Sequence, residues 1–158
     1  MTRATNLPVE ARAFLDALAV GESGGKDDDA AYTVLFGGAH FNVENNAWPT
    51  AFPVWPGVWI GGVPTHAAGR YQFEPATWRA QQGRLSLPDF SPVSQDIAAW
   101  NLAERVYGVY GGTLADDLAG NATYVAIRLR STWTSLSPNT FPDRYRVALA
   151  RYRTPTNV

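Results

Sequence analysis

The sequence has no cysteine among its 158 residues. Disulfide bonds, thiol catalysis and cysteine-ligated zinc are therefore excluded. Its two histidines, His40 and His66, stand far apart and lack the spacing of metal ligands, so we expect no metal site. The sequence also lacks a glycine-rich phosphate loop after a strand and the nucleophile-elbow pattern of serine hydrolases.

The sequence also lacks a large excess of positive or negative charge, and it lacks long apolar runs. A formal net charge of -1 argues against nucleic acid as a partner. The first residues contain no apolar signal core, and no stretch is long and apolar enough to cross a bilayer. We therefore expect synthesis in the cytoplasm, no membrane insertion, and a separate route out of the cell if the protein acts outside.

Apolar and aromatic residues, by contrast, are plentiful. Hydrophobic residues make up 46% of the sequence and charged residues 17%, which predicts one folded domain over residues 1–158 with a substantial core. The aromatic residues include six tryptophans. Flat rings of this kind suit sugars or bases as ligands, although most tryptophans simply fill a core.

Glu22 is the strongest candidate for a catalytic group. Apolar residues recur before it at steps of three and four, as one face of an α-helix requires: Val9, Ala13, Phe14, Ala17 and Leu18. Glu22 continues that stripe, so we expect burial and the negative end of the helix dipole to raise its pKa. A carboxyl group that is protonated near neutral pH is what a general acid needs. The alternative is a glutamate that turns into solvent beside Gly24 and Gly25.

The other four glutamates have ordinary interpretations. Glu10 lies in the first turn of a predicted helix, where acidic residues are common. Glu44 lies in an asparagine-rich loop, and Glu104 falls late in a helix, on the surface. Glu74 precedes Pro75 at a helix start, which predicts a capping role.

The rest of the chain predicts an α+β domain with a small antiparallel sheet inserted early. Residues 32–36 are predicted as a strand, 39–41 as its returning partner, and a further short strand ends at Phe73. Helices are predicted at 76–82, 92–107, 114–119, 122–132 and 142–152. Two irregular loops, 48–62 and 132–142, are rich in proline and aromatic residues, and long loops of this kind are usually functional.

Five segments resemble the lambda-type phage endolysins, which are lysozyme-like lytic transglycosylases. In chain order they are R-A-F-L-D-A-L-A leading to Glu22, Y-T-V-L-F-G-G from Tyr32, A-G-R-Y-Q from Ala68, D-F-S-P-V-S-Q-D from Asp89 and W-T-S-L from Trp133. The resemblance covers nearly the whole chain.

The resemblance implies a lysozyme-like fold in which two lobes flank a glycan cleft. One lobe would carry the small antiparallel sheet, the other would be mainly helical, and the loops 48–62 and 132–142 would be the lips. It also implies a monomer whose partner is peptidoglycan. Glu22 would be the catalytic residue, and the residues expected to bind substrate are Ser23, Tyr32, His66, Arg70, Tyr71, Gln72, Trp133 and Phe141.

The reaction implied is lytic transglycosylation for phage host-cell lysis. Glu22 would protonate the glycosidic oxygen between N-acetylmuramic acid and N-acetylglucosamine, and then take a proton from the muramyl 6-hydroxyl. Attack by that hydroxyl gives a 1,6-anhydro sugar without a metal or cofactor. The cell wall would be reached through a separate membrane lesion. A hydrolytic muramidase and a non-catalytic glycan-binding virion module are the alternatives, and a free or a virion-borne enzyme both remain open.

Three positions depart from the lambda type. Phe141 stands where that type has a tyrosine, so a ring is kept and a hydroxyl is lost. Thr33 stands in place of an acidic residue, a loss that is tolerable in a mechanism with one carboxylate. Ser23 forms a Glu-Ser pair that is similar to the pair in cellular lytic transglycosylases.

Overall fold

The computed structural model describes residues 3–24, 29–42, 46–50, 59–60 and 63–153. Most of these residues are helical: α1 is Val9–Glu22, a 3-10 helix is Asp29–Thr33, α2 is Pro75–Leu85, α3 is Pro92–Gly108, α4 is Leu114–Leu129 and α5 is Phe141–Arg153. Two short strands, β1 (Trp59–Ile60) and β2 (Val63–Pro64), pair antiparallel, with Trp59 opposite Pro64. No helix in the described ranges has the length and apolar character of a membrane span.

Helices α3, α4 and α5 pack against α1, and α2 packs on α3. The ring of Phe14 makes edge-to-face contacts with Trp100, Trp133 and Phe141, at centroid distances of 5.8, 6.4 and 5.7 Å. Helix α5 packs along α1, which also contacts α3 and α4. Because one buried ring joins α3, the segment after α4 and the start of α5, removing it would cost about 3–5 kcal/mol of stability.

The predicted helix start at residue 92 and the predicted break between residues 119 and 122 are confirmed. Ser91 Oγ accepts a hydrogen bond from the Ser94 backbone N–H and thereby caps α3. Within α4, Asn121 has non-helical φ and ψ angles of -154° and 70°, and its Oδ1 accepts from the Tyr124 backbone N–H. Helix α4 is therefore two helical segments joined at Asn121.

The predicted small antiparallel sheet is wrong, and the α+β class fails with it. Tyr32, the expected first residue of the strand, lies in the 3-10 helix. The segment that follows makes only isolated bridges, which join Val34 to His40, Leu35 to Ala68 and Ala68 to Phe73. Within the described residues the one longer ladder is the two-residue pair β1–β2, so the fold is mainly helical.

Tertiary and local hydrogen bonds override the strand pattern around Tyr32. The buried Tyr32 hydroxyl donates to Oδ1 of Asp96 on α3, which holds the ring inside the protein. Thr33 Oγ1 donates to the Ala30 carbonyl, a local bond that competes with strand pairing. Gly37 and Gly38 both have a φ of 91°, so the chain turns back before a longer ladder can form.

Candidate active site

A cleft of about 410 Å³ opens beside the C-terminal end of α1. Its walls come from segments that are distant in sequence: the end of α1, the stretch that leads into α2, and the stretch that follows α4. The residues that line it are Gly21, Glu22, Phe36, Thr65, Ala67, Gln72, Glu74, Thr132, Trp133, Thr134 and Ser135.

Glu22 is half-buried in the wall of this cleft. Burial raises the pKa of Glu22 above its ordinary value, because desolvation disfavours the charged form. Hydrogen bonds from the side chain and backbone of Ser135 lower that pKa in part, and the Ser135 hydroxyl donates to Glu22 Oε1. The carboxyl group is therefore held in place while its protonated form is favoured, which suits a general acid.

Gly21 lets Ser135 come close enough to bond Glu22. A Cβ atom at position 21 would lie 2.6 Å from Ser135 Oγ and 2.7 Å from Ser135 Cβ, which no real side chain tolerates. Ser135 is also fixed from the other side, since the neighbouring Trp133 is buried against Phe14 and its Nε1 donates to the Tyr71 carbonyl. Ser135 is therefore positioned by two features: Gly21 has no side chain to block it, and Trp133 is anchored in the interior.

Gln72 lines the same cleft from a tight turn. Gly69 and Gln72 have φ angles of 80° and 47°, and Gln72 Nε2 donates to the carbonyls of Gly69 and Val34. The amide oxygen has no partner among the described residues, so it is available to accept a hydrogen bond from a ligand. A Cβ at Gly69 would lie 2.3 Å from Gln95 Oε1, so glycine is required there.

Glu74 is a second carboxylate of the cleft, and the predicted capping role is not what the structure shows. It occupies the N-cap position of α2 without a side-chain cap hydrogen bond. Its Oε1 instead accepts from Thr65 Oγ1 at 2.6 Å, and both residues line the cleft. Within the described residues no group of three or more histidine, aspartate and glutamate side chains could hold a metal ion.

Three residues expected to bind substrate lie instead in a buried polar network. Arg70 donates to Asp16 Oδ1 at 2.7 Å and to the Tyr71 hydroxyl at 2.9 Å. The Tyr71 and Tyr32 hydroxyls both donate to Asp96 Oδ1, at 2.6 and 2.8 Å. Arg70, Tyr71 and Tyr32 are at most 2% exposed, and none of them lines the cleft. As placed, they can influence a ligand only through the backbone that they hold.

Other expected binding residues also lie away from the cleft lining. Phe141 is buried and stacks on Tyr145 with centroids 6.1 Å apart, and Ser23 Oγ donates to the Ala19 carbonyl at the end of α1. His66 is exposed between Thr65 and Ala67, which do line the cleft. Gln72 and Trp133 are thus the expected binding residues that the structure brings together with Glu22.

The two expected lips are described to different extents. Residues 132–135 form part of the cleft lining. Most of the 48–62 loop lies outside the described residues, although Trp48 stacks on Trp78 with ring centroids 6.2 Å apart. Thr33 stands where the lambda type has an acidic residue. Its Oγ1 forms a hydrogen bond of 2.8 Å with His40 Nδ1, and Thr33 does not line the cleft.

Sequence reasoning missed Ser135, Thr65 and Glu74. Ser135 lies inside the W-T-S-L segment, but its partner Glu22 is 113 positions earlier, and no local pattern marks such a pair. Glu74 follows the A-G-R-Y-Q segment closely, and a carboxylate just beyond a site motif was the one signal that could have found it.

Comparison with known proteins identifies the family. A family model described as Endolysin matches residues 12–153. The chain belongs to the endolysin family. The endolysin of Escherichia phage P2 is 40% identical over 76 residues, which make up 48% of this chain and 42% of that relative's length.

Solved structures confirm a lysozyme-like fold. Bacteriophage lambda lysozyme complexed with a chitohexasaccharide superposes with a TM-score of 0.71 at 24% identity, over 94% of this chain and 97% of that one. A second structure of lysozyme from bacteriophage lambda gives a TM-score of 0.68 at 24% identity, over 97% and 96% of the two chains. The resemblance therefore predicts the lysozyme-like fold correctly, but the small antiparallel sheet that was expected as part of it is wrong.

Proposed function

We propose that this protein cleaves the glycan strands of peptidoglycan, with Glu22 as the acid and base. The observation that carries the proposal is a half-buried carboxyl group of raised pKa on the wall of an open cleft, held by the Ser135 hydroxyl. Membership of the endolysin family and the lambda lysozyme fold support a glycan as the ligand. A buried Trp133 and the amide of Gln72 supply further cleft surface for a sugar.

The preferred chemistry is lytic transglycosylation. Glu22 gives its proton to the glycosidic oxygen as the bond from the muramyl anomeric carbon to that oxygen breaks. The resulting carboxylate accepts the proton of the muramyl 6-hydroxyl, whose oxygen bonds to the anomeric carbon and closes a 1,6-anhydro ring. One carboxyl group serves both steps. The nucleophile belongs to the substrate itself, which provides the advantage of proximity.

Hydrolysis by a muramidase is the second candidate, because Glu74 places another carboxylate in the same cleft. Glycosidases that use water commonly employ two carboxyl groups. Mass spectrometry of fragments from purified peptidoglycan separates the two reactions, since each hydrolytic product carries one more water than its anhydro counterpart. A protein that releases neither product is not a peptidoglycan-cleaving enzyme.

The biological setting that we propose is lysis of a phage-infected host from within. The protein would act on the cell wall after it is released through a membrane lesion made by another agent. Added to cells with a permeabilised outer membrane, it should lower the turbidity of the suspension. Intact cells should stay turbid, because the wall is not accessible from outside.

A further inference from the structure

Arg144 reaches the edge of the cleft from α5. A Cβ atom added to Gly21 would lie 3.3 Å from Arg144 Nη1, and Gly21 lines the cleft directly before Glu22. The same added atom would meet Ser135 Oγ at 2.6 Å, so the guanidinium lies close to the serine that bonds Glu22. Arg144 therefore places a positive charge at the end of α1 where the candidate acid lies.

The side chain of Arg144 also borders an apolar groove between α1 and α5. This groove has a volume of about 270 Å³, and Val20 and Val147 are among the residues that line it. Val20 in the groove and Gly21 in the cleft are consecutive residues of α1. The groove and the cleft therefore meet beside Arg144.

The guanidinium of Arg144 has no hydrogen-bond or ion-pair partner among the described residues. The two acidic residues of the groove bond other arginines: Asp16 is 2.7 Å from Arg70, and Asp143 is 3.4 Å from Arg146. Arg144 is half-buried, so its position is restricted by its neighbours although its charge is not neutralised by them. Its donors are available to a ligand that carries negative charge.

An anionic group of a ligand would need such a cation at this end of α1. Within the described residues, the last turn of α1 holds no basic side chain, and the dipole of a helix is negative at that end. Glu22 becomes negatively charged each time it gives up its proton. Both effects repel an anion, and the positive charge of Arg144 offsets them.

We propose that Arg144 is a specificity-determining residue that binds a carboxylate on the muramyl sugar whose glycosidic bond Glu22 protonates. The inference rests on the proposed glycan-cleaving function and adds a recognised group to it. N-acetylmuramic acid differs from N-acetylglucosamine by a lactyl ether on its 3-position. The carboxyl group of that ether is either free or joined to a stem peptide, which has carboxylates of its own.

Reach and geometry both suit this assignment. Proton transfer requires the glycosidic oxygen to lie within hydrogen-bond distance of Glu22, so the 3-substituent of the same sugar lies within one ring of the acid. A guanidinium presents parallel N–H donors that match the two oxygens of a carboxylate. Arg144 would therefore distinguish a muramyl sugar from a neutral one.

The charge of the C-terminal part of the chain favours the same kind of ligand. Six arginines and a single acidic residue, Asp143, lie between Arg128 and Arg153, both included. Exposed charges of one sign attract an oppositely charged polymer from a distance without recognising a particular group. Arg144 differs from an exposed arginine because it is half-buried and lies next to the cleft.

Binding of defined oligosaccharides to the full chain, measured by calorimetry at low salt, tests the proposal. Glu22→Gln is the background, so that no ligand is cleaved. One probe is a neutral hexamer of N-acetylglucosamine. The other three are alternating oligosaccharides of N-acetylglucosamine and N-acetylmuramic acid, with the lactyl groups as free carboxylates, as neutral amides or joined to stem peptides.

The variants compared in this background are Arg144→Gln and Arg146→Gln. The second removes the same charge from an exposed position of α5 that lies outside the lining of both the cleft and the groove. Arg144→Gln should weaken binding of a carboxylate-bearing probe about fivefold and that of the neutral probes less than about twofold. The difference should shrink at high salt. Whether the free lactyl groups or the stem peptides show the loss identifies the source of the carboxylate.

Three results would overturn the inference, and they separate it from the proposed function. Equal weakening of charged and neutral probes by Arg144→Gln, or no weakening, removes the recognition of a carboxylate while the glycan cleft stands. The same selective loss in Arg146→Gln assigns the effect to overall charge. Failure of both the background and the wild-type protein to bind any of the four probes removes the glycan cleft itself, and the role of Arg144 with it.

Discussion

The Ser135 hydroxyl donates a hydrogen bond to Oε1 of Glu22 and so joins the segment after α4 to the last residue of α1. This bond opposes the larger effect of burial on the Glu22 pKa. Four experiments follow from the way in which that pair is built and supported.

Replacing Glu22 with Gln should leave a folded protein that no longer cleaves peptidoglycan. The amide has nearly the shape of the carboxyl group but cannot donate a proton and take one back. Activity should fall about 10²- to 10⁴-fold, which is the contribution expected of a positioned general acid. Release of reducing or anhydro ends from purified peptidoglycan measures it. Glu10→Gln, the same change in the first turn of α1, should keep near wild-type activity. Retention of more than about a tenth of wild-type activity by Glu22→Gln would exclude Glu22 as the acid.

Replacing Ser135 with Ala should raise the pKa of Glu22 further. The lost hydrogen bond stabilised the charged form, so its removal leaves the protonated form more favoured. The basic limb of the profile of kcat/KM against pH should therefore move to higher pH. Activity at the optimum should fall about tenfold, because the carboxyl group is less firmly placed.

Ser137→Ala is the matched control for the pH profile. Ser137 lies in the same segment, and its Oγ accepts from the Asn139 backbone N–H at 3.3 Å, away from Glu22. Its profile should match that of the wild-type protein. A basic limb that stays in place in Ser135→Ala, or moves to lower pH, would contradict the role assigned to the bond.

Replacing Gly21 with Ala should lower activity at least about tenfold with little loss of stability. The added Cβ would meet Ser135 within 2.7 Å, so the segment that carries Ser135 must move away. Helix stability gains about 0.5–1 kcal/mol from the same change, which offsets part of the strain. Gly83→Ala in α2 is the control, because a Cβ added there would have no atom within 4 Å. Thermal unfolding and initial cleavage rates measure both effects, and full activity in Gly21→Ala would refute the steric argument.

Replacing Arg70 with Leu should destabilise the fold by about 3–5 kcal/mol, since it leaves the 8% exposed Asp16 without its most buried cationic partner. Urea unfolding measures the free energy of unfolding. Arg79→Leu, at an exposed position of α2, should change it by less than about 0.5 kcal/mol. Specific activity per folded molecule should stay within about twofold if Arg70 acts only in the interior. A large loss of activity with little loss of stability would instead support the substrate contact expected from the sequence.

The sequence carried enough information to find Glu22 and Trp133. An apolar stripe with a period of 3.6 residues leads directly to Glu22, and its burial follows from the helix geometry that the stripe predicts. Trp133 lies in a segment whose aromatic and polar composition is typical of a functional loop. In both cases the signal was local, and local patterns are what a single sequence records best.

Tertiary contacts decided which of the other expected residues lie in the cleft, and the sequence does not record those contacts. Tyr71 and Gln72 are neighbours that were both expected to bind substrate, yet Tyr71 is buried in the interior and Gln72 lines the cleft. The segment predicted as a strand from Tyr32 begins instead in a 3-10 helix, and the Tyr32 hydroxyl bonds Asp96, which lies 64 positions later in the chain. Contacts between residues so far apart in the chain produce no periodic pattern in the sequence.

The hydrogen bond from Trp133 to the Tyr71 carbonyl, together with the packing of Trp133 on Phe14, has a consequence for biosynthesis. A chain leaves the ribosome from its N-terminus, so Glu22 is made long before Ser135 and Trp133. Until those residues emerge, the cleft lacks one wall and Glu22 lacks the hydrogen bond that holds it. Nascent chains that end before Ser135 therefore carry Glu22 without a complete cleft.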